Sequence, residues 1–272
     1  MVLTLNKQNI DLIRESFSVQ AEEFENSGMN FSKQEYLNLI IGQIKARPDD
    51  KVLEAASGTC ICGRNITPYV KKVVCLDATP AMLQIGKEAA ETEGIKGISF
   101  EVGLVEDIPY LDESFDIVLT RLSFHHFTEM EKPFSELHRV LKPGGKLVII
   151  DMEATEEALR EIEDRIETMR DPSHIRNRSR EEFEMLYHRY GYDLQIEKTT
   201  KIPVRLDAWM ELTKTEAKIR SEILSLMQEE LDGGRKTGFF PYLVDGGITF
   251  NQQWLFLLGI KRQEADYGGI IF

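Results

Sequence analysis

The sequence predicts an α/β protein built on a doubly wound parallel sheet, and three kinds of observation support this class. Five short apolar runs, at residues 52–55, 73–76, 98–102, 117–120 and 147–150, have the composition of strands buried on both faces of a sheet. Amphipathic helical patterns lie between these runs, and such alternation produces parallel strands joined by right-handed crossovers. Turn and capping residues separate the two kinds of segment.

The helices of this core have recognisable ends. Thr79 and Pro80 read as an N-cap followed by proline in the first helical position, and Gly94 closes the helix that they begin. The helix before the fifth strand ends at the Pro-Gly-Gly run 143–145. Its buried face is predicted to consist of Phe134, Leu137, Val140 and Leu141.

The chain is predicted to form one domain over residues 1–262. Residues 1–45 would be a helical N-terminal cap, and residues 46–152 the core. The expected buried positions of the cap are Phe17, Phe24, Leu37 and Ile41.

The C-terminal part of this domain is less regular. Two charged helices are expected within 153–192, and two final strands at 193–204 and 254–261. The insertion between these strands, at 205–250, is far longer than an ordinary connection of ~4–6 residues, and it contains a helical pattern at 217–231. Residues 263–272 are predicted to be a surface tail.

The composition excludes several classes of function. The chain has 272 residues and a formal net charge of −13, which opposes nucleic acid binding because phosphate contacts need clustered Lys and Arg. No run approaches the ~20 apolar residues of a membrane span, and residues 1–13 lack the apolar region of a signal peptide. The three cysteines, Cys60, Cys62 and Cys75, are expected to be reduced packing residues in a cytoplasmic protein without a metal site.

The turn after the first strand is rich in small residues. The run V-L-E-A-A-S-G-T-C-I-C-G spans 52–63, where small side chains let a ligand approach the backbone and the next helix presents free N–H groups. It lacks the Lys and Ser/Thr of a phosphate-binding loop and the three glycines of a dinucleotide fingerprint. Alone, it indicates either a ligand site at the carboxyl end of the sheet or a tight turn without a ligand. Asp77 ends the second strand, where a carboxylate either accepts ribose hydroxyls or caps a helix.

Two further runs complete a family pattern. G-L-V-E-D-I-P-Y-L-D-E-S-F-D-I-V-L-T-R-L-S-F-H-H-F spans 103–127, and E-L-H-R-V-L-K-P-G-G-K-L-V-I-I-D spans 136–151. With V-L-E-A-A-S-G-T and C-L-D-A-T-P-A-M-L before them, the chain resembles the class I S-adenosylmethionine (SAM)-dependent methyltransferases. The likeness is greatest to the branch with the ubiquinone/menaquinone biosynthesis enzymes and related small-molecule methyltransferases. It implies a Rossmann-like sheet of seven strands with an antiparallel last strand, and methyl transfer that converts SAM into S-adenosylhomocysteine (SAH).

The resemblance also assigns residues to the cofactor. It implies that the methionine part of SAM is bordered by Glu54, Ala56, Ser57 and Gly58, and faced by the backbone carbonyls of Thr120 and Arg121. It implies that the ribose is bound by Asp77, and the adenine by Ala78, Met82, Val105 and Glu106. The family's aromatic-rich helix over the cofactor matches Phe17, Gln20 and Phe24.

Three positions depart from the family pattern. Ala56 and Cys60 replace the first and third glycines of G-x-G-x-G, and Leu104 replaces the Asp that accepts from the adenine amino group. Loss of one charged hydrogen bond costs about 1.5–3 kcal/mol. One alternative is therefore a SAM- or nucleotide-binding protein without transferase activity. Another is a nicotinamide-dependent dehydrogenase, which the missing glycines disfavour.

Histidines are the candidate catalytic residues. His125 and His126 follow the fourth strand, where an imidazole suits a base near neutral pH, although either ring could instead pack or cap a helix. His174, in D-P-S-H-I-R, either reaches the acceptor or is solvated. The arginines at 176, 178 and 180 either bind an acceptor anion or form surface ion pairs.

The insertion at 205–250 is predicted to be a lid that shapes the pocket of a small-molecule acceptor. Its apolar residues are Trp209, Met210, Leu212, Phe239, Phe240 and Tyr242, which favour an acceptor with a ring or a long apolar part. The alternative is a packing element or the interface of a homodimer.

Overall fold

A computed structural model describes residues 2–25 and 32–263. Its strands are β1 (Lys51–Ala55), β2 (Lys72–Asp77), β3 (Ile98–Val102), β4 (Phe115–Arg121), β5 (Leu141–Glu153), β6 (Tyr192–Arg205), β7 (Tyr242–Val244) and β8 (Gly247–Lys261). They form one sheet in the order β3-β2-β1-β4-β5-β8-β6, and β7 pairs with β8 outside this path. The first five strands are parallel, and β8 runs antiparallel between β5 and β6.

Helices connect these strands and cover the sheet. They are α1 (Val2–Gln20), α2 (Gln34–Ile44), α3 (Ile61–Ile66), α4 (Pro80–Thr92), α5 (Glu131–Val140), α6 (Arg160–Arg170), α7 (Arg180–Arg189), α8 (Leu206–Leu212) and α9 (Ala217–Leu231). The doubly wound class and the antiparallel last strand are therefore confirmed. No helix within 2–25 and 32–263 has the length and apolar character needed to cross a membrane.

Alternating side chains of the central strands bury both faces of the sheet. In β1, Val52 belongs to the core under α2 and α3, while its neighbour Leu53 belongs to the core under α5 and α7. Leu147 and Val148 divide in the same way in β5. A strand that is apolar at nearly every position follows from this two-sided burial.

Three local expectations need correction. Leu141 begins β5 instead of ending the buried face of α5, because the chain turns into extended backbone directly after Val140. Thr79 precedes α4 but its side chain makes no capping hydrogen bond. Of the expected buried positions in the N-terminal cap, only Leu37 is fully buried, and Phe17, Phe24 and Ile41 are partly exposed.

The insertion before β8 contributes to the core. Its residues Trp209, Met210, Leu212 and Phe239 are each at most 4 % exposed, and the Trp209 ring contacts Phe239 and Phe250 edge-on, with centroids 5.6 and 5.3 Å apart. The short strand β7, which the sequence analysis did not predict, forms a hairpin with β8. The predicted tail lies outside the described residues from 264 onward.

Candidate active site

The loop from β1 to α3 has a tightly curled backbone. Ala56, Gly58 and Cys60 have φ angles of 50°, 54° and 61°, in the left-handed region that favours glycine. The two residues that replace family glycines therefore adopt a glycine-like backbone. Behind the loop, the Gly63 N–H donates to the Glu54 carboxyl at 2.6 Å. Burial raises the pKa of Glu54 to about 7.

Asp77 joins this loop to the next one. Its carboxylate accepts from the Gly58 N–H at 2.7 Å and from the Thr79 N–H at 2.8 Å. Burial raises the pKa of Asp77, although these donors oppose the effect. The side chain thus holds both loops at the carboxyl ends of β1 and β2, where ligands bind in open α/β sheets.

A main cavity, with an empty volume of about 890 Å³, lies above these two loops. Twelve of the fourteen residues assigned to the cofactor or to the helix over it border this cavity, namely Phe17, Phe24, Glu54, Ala56, Ser57, Gly58, Asp77, Ala78, Met82, Val105, Glu106 and Arg121. Gln20 does not border it. Thr120 does not border the cavity. It is fully buried, and its hydroxyl forms a 2.6 Å hydrogen bond with that of Ser123.

The cavity wall that follows β3, next to Asp77, differs from the family pattern as the sequence indicates. Leu104 borders the cavity beside Val105 and Glu106 and offers no side-chain acceptor. Glu106 supplies the carboxyl group of this wall, and burial raises its pKa. The isolated bridge between Leu104 and Asp107 fixes the backbone of this segment.

Helix α1 covers the main cavity. Arg14 donates through Nε to the Ala78 carbonyl at 3.0 Å, on one side of the cavity. On the other side, Asn9 donates to the His126 carbonyl at 2.7 Å, and the Phe17 ring meets the His126 ring edge-on at 5.1 Å. Ile10 and Ile13, which the sequence analysis did not identify, also border the cavity.

The three candidate histidines come together next to the main cavity. His125 and His126 lie in a 3₁₀ turn (Phe124–His126) after β4, and their ring centroids are 4.2 Å apart. The His174 ring is 5.6 Å from that of His125 and 6.5 Å from that of His126. All three are at most 6 % exposed, so none is the solvated histidine of the alternative interpretation.

Two carboxylates that were not predicted from the sequence lie within hydrogen-bond distance of these rings. Asp151, two residues before the end of β5, accepts from the N–H groups of Ser123 and Phe124, and its Oδ1 is 2.5 Å from His125 Nδ1. Burial alone would raise the pKa of Asp151, but the His125 ring and these donors outweigh it and lower the pKa. His174 Nε2 lies 2.9 Å from the Asp164 carboxylate.

His126 is held through Ser173. Its Nδ1 lies 3.1 Å from both the carbonyl and the hydroxyl oxygen of Ser173. A carbonyl only accepts, so Nδ1 carries the proton and Nε2 keeps a free lone pair. Burial, and the neighbouring His125, lower the pKa of His126, which keeps the ring neutral near pH 7.

A second cavity, the histidine cavity, adjoins the first and has an empty volume of about 470 Å³. His125, His126 and His174 line it, together with Gln20 and Arg170. The main and histidine cavities share four wall residues, Phe17, Phe24, Leu122 and His126. Both histidines of the pair therefore face a cavity, and His126 faces two.

The insertion and the arginines contribute less to this cavity than expected. Of the six apolar insertion residues, only Leu212 borders it, because the others that are buried pack among themselves. The apolar residues of the insertion therefore give no support to the prediction of an acceptor with a ring or a long apolar part. The Arg176 and Arg180 guanidiniums pair with Glu182 and Glu197. The Arg178 guanidinium donates to backbone carbonyls, and these three arginines border neither cavity.

Cysteines and metal ligands give no further site. Cys60, Cys62 and Cys75 are buried free thiols. No group of three or more His, Cys, Asp or Glu side chains within the described ranges could hold a metal ion.

The sheet order, the curled loop and the Asp77 contact are typical of Rossmann-like α/β proteins that bind a cofactor at the carboxyl ends of their strands, and comparison with known proteins gives the family. A family model described as a methyltransferase domain matches residues 53–149. The chain belongs to the class I SAM-dependent methyltransferases. It is similar to YcgJ of Bacillus subtilis, described as an uncharacterized methyltransferase, with 29 % identity over 90 % of this chain and 98 % of the relative. The crystal structure of YcgJ superposes with a TM-score of 0.77, covering 85 % of this chain and 100 % of that one.

Other relatives match over shorter stretches. The uncharacterized protein YafE of Escherichia coli is 33 % identical over 54 % of this chain and 71 % of its own length. A ubiquinone/menaquinone biosynthesis C-methyltransferase, UbiE of Wigglesworthia glossinidia brevipalpis, is 33 % identical over 42 % of this chain. This chain covers about half of that relative's length, 47 %.

The main cavity fits SAM. Gly58 suits this wall because its φ of 54° favours glycine and because a Cβ atom there would stand only 3.1 Å from the Met82 side chain. Asp77 presents a buried carboxylate at the same wall. Glu54 adds a second carboxyl group from β1, and Arg121 adds a guanidinium group from the end of β4. These groups match the hydroxyl, ammonium and carboxylate groups of the cofactor.

Proposed function

We propose that this enzyme transfers the methyl group of SAM to a small-molecule acceptor bound in the histidine cavity. The observation that carries the proposal is the shared wall, in which His126 borders both the main and the histidine cavity. Methyl transfer needs the acceptor atom next to the methyl carbon and in line with the bond that breaks. Two adjoining cavities, one for each reactant, meet this requirement.

The main cavity would bind SAM through residues at the ends of β1, β2 and β4. Asp77 would accept the ribose hydroxyls, while Glu54 and Arg121 would face the methionine ammonium and carboxylate. Ala78, Met82, Val105 and Glu106 would contact the adenine. When bound, SAM supplies an electrophilic methyl group on a sulfonium cation.

His125 is the proposed proton acceptor. Its Nδ1 is next to the Asp151 carboxylate, which only accepts, so Nε2 keeps a lone pair and His125 lines the cavity of the acceptor. Asp151 would stabilise the imidazolium that forms when the acceptor loses its proton. General bases of this kind contribute about 10²–10⁴-fold to a rate.

His126 and His174 would position the acceptor. His126 is neutral in the free enzyme, so the wall beside the sulfonium carries no second positive charge. His174 is oriented by Asp164 and lines the same cavity. A cavity of this size suits a small molecule, and the net charge of −13 opposes a nucleic acid acceptor. We further propose that the enzyme acts in the cytoplasm.

A His125→Gln variant tests the proposal. Gln can donate to Asp151 as His125 does, but it cannot take up a proton. We expect turnover of methyl-labelled SAM, measured over a panel of small acceptors, to fall by ~10²-fold or more. The dissociation constant of SAH, measured by calorimetry, should stay within about twofold, because His125 does not border the main cavity.

The matched control is His188→Gln, a change of the same kind on the exposed side of α7. It should keep full turnover. Full turnover in a folded His125→Gln enzyme would show that His125 is not the base, and failure of the wild-type enzyme to bind SAH would remove the proposed cofactor site.

A further inference from the structure

A third cavity, the distal cavity, adjoins the histidine cavity on the side away from the main cavity. It has an empty volume of about 250 Å³ and lies between α6, β8 and the insertion. It shares three wall residues with the histidine cavity, Met152, Glu167 and Gln252. The main, histidine and distal cavities therefore follow one another in a row.

The wall of the distal cavity is acidic. Glu153, Glu163 and Glu167 border it, and no Lys, Arg or His does. Glu153 pairs with Arg180 at 3.3 Å, and Glu167 pairs with Arg170 at 3.2 Å.

Glu163 differs from its two neighbours because no cation pairs with it within the described part of the chain. Its carboxyl is 8 % exposed and accepts only from the Asn177 amide at 3.2 Å and the Thr155 N–H at 3.4 Å. Burial, followed by the nearby Glu167, raises the pKa of Glu163 to about 8. Buried carboxylates are normally paired, and a cation placed here would restore the ionised form.

Asn177 provides a second and independent observation. It is 1 % exposed and lines the distal cavity, and its Oδ1 has no hydrogen-bond partner. Nearly all buried polar atoms in proteins are hydrogen-bonded, so an amide oxygen of this kind calls for a donor. The rings of Phe239 and Phe250, whose centroids are 4.9 Å apart, border the same space, and ammonium groups are attracted to the faces of such rings.

We propose that the distal cavity binds an ammonium group of the acceptor, so that the substrate is a small amine-bearing molecule with a second, nucleophilic group. The ammonium would donate to Glu163 and to Asn177 Oδ1, while the nucleophilic hydroxyl or amino group lies at His125 in the histidine cavity. This assignment rests on the proposed function, because it uses the histidine cavity as the place of methyl transfer. It gives the insertion a role in specificity, since Gly238 and Phe239 form part of the distal wall.

The test compares amines with isosteres in which a methyl group replaces the ammonium. Tyramine is paired with 4-propylphenol, and 5-aminopentan-1-ol with 1-hexanol. Each is titrated calorimetrically into the wild-type enzyme saturated with SAH. We expect tyramine or the amino alcohol to bind about tenfold to a hundredfold more tightly than its isostere, the range for one charge-assisted contact in a buried site.

Two variants then locate the ammonium site. Glu163→Gln and Asn177→Leu should each remove most of this preference, while Glu161→Gln, the same change at an exposed position of α6, should keep it. The SAH dissociation constant of each variant reports whether the main cavity is intact. If a variant loses SAH binding, its main cavity is damaged, and the ammonium site is then judged only from the affinities of the amines and their isosteres for the wild-type enzyme.

Equal affinity of both amines and their isosteres, or no binding of either amine to the SAH complex, would overturn the ammonium site. So would a preference that survives in both Glu163→Gln and Asn177→Leu. These outcomes are separate from failure of the proposed function, which would appear as absent SAH binding or as turnover that does not depend on His125.

Discussion

Replacing Ala56 by glycine should stabilise the protein, because Ala56 has a backbone conformation that L-residues avoid. Its φ of 50° lies in the left-handed region, which costs about 1–2 kcal/mol for a residue with a Cβ atom. The glycine introduced would raise the entropy of the unfolded chain, at a cost of about 0.4–1 kcal/mol. The balance is a gain of about 0.8 kcal/mol in the free energy of unfolding, or a rise in Tm of about 2 °C for a domain of this size.

Two companion variants separate backbone strain from side-chain packing. Lys214→Gly changes an exposed residue with the same φ of 50°, far from the cavities, and should give a similar gain. Cys60→Gly relieves the same strain at φ 61° but removes a fully buried thiol that contacts the Ser57 hydroxyl at 3.3 Å. The loss of the buried thiol and the cavity that it leaves should cost about 1.5–3 kcal/mol, so Cys60→Gly should lower the free energy of unfolding.

The measurement is denaturant unfolding of the three variants beside the wild type, with SAH affinity as a check on the loop. Ala56→Gly should keep SAH affinity within about twofold, because glycine favours the same backbone conformation. If Lys214→Gly stabilises the protein while Ala56→Gly destabilises it, the strain assigned to the curled loop is wrong.

Three further outcomes are expected. Asp77→Ala should weaken SAH binding at least about tenfold in calorimetry through loss of a charged acceptor, and unchanged affinity in a folded variant would remove Asp77 from the ribose site. Leu104→Asp should tighten SAH binding by about tenfold by supplying an acceptor for the adenine amino group, whereas weaker binding without unfolding would place the adenine elsewhere. Burial lowers the pKa of His126, so the unfolded chain takes up a proton at this residue at a higher pH than the folded protein does. The free energy of unfolding should therefore fall as the pH drops below about 6.5, by up to about 1.4 kcal/mol per pH unit. His126→Gln should remove this contribution to the pH dependence of stability, and an unaltered pH dependence would contradict the burial argument.

The sequence predicted the core because local patterns carry that information. Strands buried on both faces have to be apolar at nearly every position, so β1 to β5 were recognisable as short runs. The cofactor residues follow strand ends in an order that a family resemblance recognises. Thr120 lies one residue before the strand end at Arg121 and does not border the main cavity, because its side chain turns inward to Ser123.

The acceptor side was less predictable because it depends on contacts between distant parts of the chain. Asp151 meets His125 across two neighbouring strands, and Asp164 meets His174 across a turn between helices. Nothing in the spacing of these residues distinguishes them from the other carboxylates of an acidic chain. Asp151 was a usable signal, since it directly follows the predicted strand at 147–150 as Asp77 follows the one at 73–76. Trp209 is buried because it packs against β8. The sequence does not reveal this, because an apolar residue that lines a ligand pocket has the same hydrophobicity as one in the core.

The position of α1 has a consequence for the order of events in catalysis. This helix is bonded to the Ala78 carbonyl on one side and to the His126 carbonyl on the other, and its Ser16 hydroxyl donates to Asp171 at 2.8 Å. A movement of α1 that lets the cofactor exchange would therefore also break its contact with the histidine turn. We therefore expect the acceptor to meet a complete site only after SAM has entered, and SAH to leave last. Steady-state kinetics would express this as an ordered sequential scheme, in which SAH competes with SAM but not with the acceptor.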